Sequence, residues 1–178
     1  DAIKTTTKPV IASHSNAYAI CPVSRNLKDD QIKAVGKNGG VINLNFFSGF
    51  VDSDFSRKNN EFREKHKPEI KALIASGMQG EYAMTQIANK YKAESDAIKP
   101  DLEVLMQHFD HIVKLIGIDH IGLGSDFDGI DSAPLQLKTV LDYPEFTNAL
   151  IKRGYKDEDI AKVLGGNFLR VYRLNNPN

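Results

Sequence analysis

Three short apolar runs interrupt a chain that is otherwise patterned for helices. They are Val10-Ile-Ala, Val41-Ile-Asn-Leu-Asn-Phe-Phe and Ile118–Phe127. Each is too short for a helix and is bounded by turn residues, so each reads as a strand. Pro9 opens the first, at the strand position that tolerates proline. The second is nearly continuous in apolar character, as expected when helices cover both faces. Between and after these runs the period is helical. Asp29 is read as the cap of a helix with Ile32 and Val35 facing inward, stopped by Gly39-Gly40. Residues 54–75 and 82–97 read as helical around Gly77 and Gly80. Leu102, Leu105, Phe109, Ile112, Val113 and Ile116 form one stripe on a helix that Pro100 starts and Gly117 ends. Beyond the third strand, residues 131–141 are loop or short turns. A helix follows over 143–153, and a last one starts at Asp157, breaks at Gly165-Gly166 and resumes over 167–173. Residues 175–178 are expected to fray.

Strands alternating with helices predict an α/β fold with a parallel sheet. Three strands cannot close an eight-stranded barrel, but they can be its last three. Residues 1–178 are therefore expected to form a single, partial (β/α)8 TIM barrel domain, with a charged, solvated helical excursion at about 52–105. The opening Asp1–Lys8 resembles the tail of a helix. It has no initiator Met and no signal-peptide pattern. The expectation is a piece of a longer protein, beginning partway through a helix.

Composition narrows the function. A length of 178 residues is one domain's worth. Lys+Arg and Asp+Glu number 23 each, which leaves no electrostatic footprint for nucleic acid. A hydrophobic content of 41% is too high for a disordered chain, and no apolar stretch is long enough to be a transmembrane segment. The single cysteine, Cys21, excludes an internal disulfide and a cysteine-based zinc site. With no histidine partner in a recognisable motif, it is also a poor nucleophile. None of this assigns a compartment.

The candidate chemistry lies at the strand ends, which share one rim in a parallel α/β fold. His14 follows the first strand, Asn45 lies on the second near its end, and Asp126 and Asp128 follow the third in Gly-Ser-Asp-Phe-Asp-Gly. That last stretch suits a turn as well as a site. Imidazole and carboxylate together are the usual ligand set for zinc or a similar divalent ion, although a serine-flanked histidine bonded within a loop fits His14 equally. Arg25, in the same loop as His14, could hold a substrate carboxylate in a bidentate fork, or be a surface arginine. His66 lies in a charged run and is read as solvated. His108 and His111, three apart on a helix body, are read as structural. His120 is at the wrong end of its strand for catalysis. Gly122 and Gly124 lack the third glycine and following helix of a nucleotide loop.

Five stretches carry a family resemblance: PVIASHSNAY at 9–18, Arg25-Asn26 followed by LKDDQIKAV, VINLNFFSGF at 41–50, HFDHIVKLIGIDHIGLGSDFDG at 108–129 and LIKRGYKDEDIAKVLGGNFLRVYR at 150–173. Together they resemble the carboxyl-terminal half of the membrane (renal-type) dipeptidases, the zinc metallopeptidases of family M19. The resemblance implies a (β/α)8 barrel with two zinc ions at the strand ends. It also implies hydrolysis of dipeptides, including some with a D-residue at the carboxyl side. It assigns His14 as a metal ligand, Arg25 as the holder of the substrate carboxylate and Asp126 as the catalytic acid/base. Asp128 receives no role.

The family's His-x-Asp pair, bridging Glu, further ligand His and substrate-binding His match nothing here. The resemblance thus implies that this piece alone is inactive and binds metal weakly. In the complete enzyme, two metals about 3.5–4 Å apart would activate a water for attack on the peptide carbonyl. A half barrel would also expose edge strands and apolar faces. The piece is expected to pair with its missing half, to self-associate, or to be a stable proteolytic core. Two alternatives remain at this stage: another amidohydrolase-type barrel metallohydrolase, and a non-catalytic α/β ligand-binding module.

Overall fold

The three strands are β1 (Ile11–Ala12), β2 (Val41–Asn45) and β3 (Ile121–Ser125), and they form one parallel sheet in the order β1-β2-β3. The protein is described by a computed structural model covering residues 1–177. Ile11 pairs with Val41, and Ile42 and Leu44 pair with Ile121 and Leu123. The register then slips, so that Asn45 faces Ser125. Such a bulge bends a strand and re-aims the residues that follow it.

All five β2 residues are buried, and alternation sorts them. Ile42, Leu44 and Phe46 join the main core with Ile121 and the helices. Val41, Asn43 and Asn45 therefore lie on the other face, which in a barrel is the interior. The helices that cover the core are α2 (Asp29–Lys37), α8 (Leu102–Ile116), α9 (Tyr143–Lys152), α10 (Asp157–Ala161) and α11 (Asn167–Asn175). The architecture is an α/β arrangement of three parallel strands with flanking helices, a partial barrel.

The α8 stripe explains that helix. Leu105, Phe109 and Ile112 are fully buried, with Val113 and Ile116 packed at the margin, and Asp101 caps it by accepting from the Glu103 N–H at 2.8 Å. His108, fully buried on the same helix, joins two loops. Its Nδ1 accepts from the Ala17 N–H at 3.0 Å and its Nε2–H donates to the Val51 carbonyl at 2.9 Å. Burial pushes its pKa down to about 4. It is structural, as the sequence suggested.

Three expectations are corrected. Asp29 is the first residue of α2 rather than its cap; at Lys28, the preceding position, the N–H donates to Gln31 Oε1 at 2.8 Å. The third strand is shorter than its apolar run. Ile118–His120 form a 3-10 turn before β3, and the Asn167 side chain spans it, donating to both the Ile118 and Ile121 carbonyls at 2.7 and 2.8 Å. His66 is not solvated. It is buried, stacked on Tyr91 with centroids 3.9 Å apart and paired with Glu94 at 3.2 Å.

Between β2 and β3 the chain makes five further helices: α3 (Ser48–Val51), α4 (Phe55–Lys65), α5 (Lys67–Ala75), α6 (Gly80–Lys90) and α7 (Lys92–Ala97). Their surfaces are laced with ion pairs such as Arg57–Glu61 and Lys65–Glu94. Phe55, Phe62, Ala83 and Ile87 are buried there, apart from the main core. At the chain's start, α1 spans Ala2–Thr5. At its end α11 runs through Asn175, and the expected fraying of Asn178 lies outside the described residues.

Candidate active site

The loop after β1 is fixed to the end of β2 by a network of buried amides. Ser15 N–H donates to the Asn43 carbonyl at 2.9 Å. Asn16 accepts from the Asn45 N–H at 3.1 Å and donates to the Asn45 carbonyl at 3.0 Å. The Asn26 amide donates to the Cys21 and Phe50 carbonyls at 2.9 and 2.8 Å. Each of these groups would cost free energy if buried without a partner, so together they hold the loop in one conformation. Cys21 is buried inside it, and its thiol is raised to about 11, first by burial and then by Asp52. It is not an activated nucleophile.

On this platform the two polar residues of the loop meet. Arg25 Nη2 donates to His14 Nε2 at 3.1 Å, and His14 Nδ1 lies 2.8 Å from Ser13 Oγ. The Arg25 guanidinium carbon stands 5.9 Å from the centroid of the Phe50 ring, and Ser15 Oγ bonds its carbonyl at 2.8 Å. Arg25 is exposed and His14 half-buried, a setting that leaves the guanidinium within reach of a ligand.

The second pair stands at the ends of β2 and β3. Asn45 Nδ2 donates to Asp126 Oδ2 at 3.2 Å, and Asn45 Oδ1 accepts from the Phe47 N–H at 2.6 Å. Asp126 and the preceding Ser125 have positive φ, 71° and 27°. Left-handed backbone is uncommon outside glycine, although Asp tolerates it, and it often marks a functional turn. The Gly129 N–H closes the turn onto the Asp126 carbonyl at 2.9 Å. Asp128 is exposed on the same turn.

Gly124 brings the two pairs together. A Cβ at this position would lie 2.2 Å from the Ser13 carbonyl oxygen and 3.1 Å from the His14 Cα. Only glycine lets β3 pass this close to the His14 loop. The structure therefore places His14 and Arg25 in contact and sets Asp126 just beyond Gly124 on the same rim. His111 and His120 lie elsewhere, bonded to Asp29 and to the Gly40 carbonyl. The sequence pointed to Asn45 by its strand end but assigned it no partner. It did not reveal Ser13, Asn16 or Asn26, whose only signal is the crowding of polar residues around His14 and Arg25.

The residues present do not complete a metal centre. Zinc takes about three protein ligands even in open catalytic sites. Among the described residues no three His, Cys, Asp or Glu are grouped to hold an ion, and the His14 Nε2 lone pair accepts from Arg25. A cleft of about 130 Å³ lies between the helical excursion and the loop after β3, lined by Phe55, Phe62, Lys99, Asp131 and Ser132 among others, and none of His14, Arg25, Asn45 or Asp126 lines it.

Residues 1–176 match the family model described as membrane dipeptidase, peptidase family M19. The chain is 32% identical over 166 residues to the dipeptidase aclJ of Aspergillus oryzae, covering 93% of this chain and 30% of that protein. It superposes on the metallopeptidase of Rhodobacter sphaeroides liganded with a phosphinate mimic of L-Ala-D-Ala. The TM-score is 0.69 and the identity 25%, over 97% of this chain and 38% of the other. It also superposes on the probable dipeptidase PvdM of Pseudomonas aeruginosa, with TM-score 0.70, 28% identity and coverage of 97% and 46%. The chain spans less than half the length of the curated relatives it matches, from 30% to 47%.

Proposed function

Because the chain belongs to the membrane dipeptidase family, peptidase family M19, we propose that it contributes three strand ends to the active site of a zinc-dependent dipeptidase. The reaction is hydrolysis of the single peptide bond of a dipeptide. The observation that carries this reading is the pairing on one rim of a guanidinium–imidazole contact, Arg25–His14, with a carboxylate held by an amide, Asp126–Asn45. A dipeptide offers a terminal carboxylate close to its scissile amide, and these groups answer to both.

In this reading Arg25 binds the carboxylate and fixes the distance from it to the scissile carbonyl. Asp126 passes a proton to the leaving amine. Asn45 donates to one carboxylate oxygen of Asp126 and leaves the other for that transfer. His14 is one ligand of a centre with two zinc ions in the complete enzyme. The other ligands would come from outside this chain, so the 178 residues alone are expected to be inactive and to retain zinc poorly. The whole is read as one partial (β/α)8 domain over 1–178, carrying a helical excursion at about 52–105. It is expected to pair with a complementary half or to self-associate.

The test uses the intact protein that carries this chain, assayed with zinc on a panel of dipeptides. Asp126→Asn should abolish turnover and leave zinc content nearly unchanged. Loss of zinc would mean that Asp126 is a ligand rather than the proton carrier. Hydrolysis of cyclic amides in preference to dipeptides would overturn the substrate assignment.

A further inference from the structure

We infer that the cleft beside the helical excursion, with a second one adjoining it, binds a free α-amino acid that has an aliphatic side chain. The binding is independent of the active-site reading; only its meaning as a site for a released product rests on that reading.

The cleft of about 130 Å³ shares Lys99, Asp131 and Ser132 with a neighbouring one of about 150 Å³, which Lys138 also lines. Asp131 and Lys138 bring opposite charges to that second space, yet neither forms an ion pair among the described residues. Lys99 is already committed, its ammonium paired with Asp96 at 2.9 Å. One carboxylate and one ammonium therefore stand open with a gap between them. A ligand with both an ammonium and a carboxylate matches the two, while a simple anion or cation leaves one of them unmatched.

The first cleft supplies the apolar half. Beyond the shared residues, Phe55, Phe62, Met84 and Ile98 line it. Its volume is close to that of a cavity of about 150 Å³ that takes up benzene, so it has room for one aliphatic side chain. Both walls are held without a ligand. The Ser48 N–H donates to the Ser132 carbonyl at 2.9 Å, and the two hydroxyls meet at 2.8 Å. The Leu135 N–H donates to the Pro100 carbonyl, next to Lys99, at 3.0 Å, and the Lys138 N–H donates to Asp142 Oδ2 at 2.8 Å. Binding has little of the protein left to order, which favours a small ligand.

The probe is L-leucine, titrated by calorimetry into the intact protein. The protein is freed of metal by a chelator and carries Arg25→Ala, so that the rim does not compete for the carboxylate. One saturable site is expected. 4-Methylpentanoate, which lacks the ammonium, and 3-methylbutylamine, which lacks the carboxylate, should each bind about 10-fold more weakly, and glycine more weakly than leucine. Asp131→Asn should weaken leucine about 10-fold and leave 4-methylpentanoate unchanged. Lys138→Gln should weaken leucine and leave 3-methylbutylamine unchanged. Both side chains are exposed, so neither change removes a buried contact. No saturable leucine binding, an analogue as tight as leucine, or equal losses for every ligand in either variant would overturn the inference. Leucine binding by an intact protein without dipeptidase activity would remove the product meaning and leave the site standing; turnover without leucine binding would do the reverse.

Discussion

At the scale of single residues, the buried histidine gives the sharpest expectation. His108 is neutral in the fold, with a pKa lowered to about 4, against an ordinary value of 6.5. Between those values the unfolded chain binds the extra proton, so the stability His108 contributes is complete above about pH 6.5 and is lost as pH falls toward 4. The effect is on the order of 3 kcal/mol. His108→Leu should remove this pH dependence and strand the Ala17 N–H and Val51 carbonyl, costing about 2–5 kcal/mol at pH 7. Urea unfolding of both proteins from pH 7 to pH 4 checks it, and the gap between them should narrow as the pH falls. Cys21 should resist a thiol reagent in the folded protein and react at once in denaturant. Prompt labelling of the native form would contradict its burial and its raised pKa. Roles of this kind are partly legible: His108 lies on a helix body, away from the strand ends, and so reads as structural. His66 reads as solvated because its neighbours in sequence are charged, while the ring stacked on it, Tyr91, comes from the turn between α6 and α7.

At the scale of elements, the bulge between β2 and β3 decides how the rim is built. Gly124→Ala would drive a methyl group into the Ser13 carbonyl. It should both destabilise the protein and impair any activity of the intact enzyme. Gly129→Ala would instead press on the Asp126 carboxylate, 2.4 Å from its Oδ1, and should act more on activity than on stability. Thermal melts beside turnover rates separate the two variants; a Gly124→Ala protein as stable as the parent would mean that Gly124 does not seat the His14 loop. The strands themselves could be read from the sequence, since short apolar runs closed by glycine and asparagine have few other solutions. The start of β3 could not. Ile118-Asp-His leads straight into the apolar run, and its 3-10 turn is spanned by Asn167 from the last helix. The amide network of Asn16, Asn26 and Asn45 was hidden for the same reason, because an asparagine does not announce which distant carbonyl it will meet.

At the scale of the molecule, β1 and β3 each pair only with β2 among the described residues, and Leu164, Phe168 and Tyr172 are exposed on the last turns and helix. Unpaired strand edges and an apolar face favour association. Light scattering over a wide dilution range should show the isolated chain self-associating, or a co-expressed complementary half should hold it in a heterodimer. A chain that stays monomeric at all dilutions and remains unbound when that half is co-expressed would contradict both. The connection that carries α3 to α8 bears on folding in another way. Joining β2 to β3 requires Ile42 to find Ile121 across the whole of it, and such distant pairings slow a chain's search for its native state. The entropic cost of closing the loop grows only logarithmically, by about 0.6 kcal/mol for each doubling of length. The helices from α4 to α7, with their own buried phenylalanines, can thus lengthen or shorten between proteins of this kind with little change in equilibrium stability. What such changes alter is the speed with which the rim assembles.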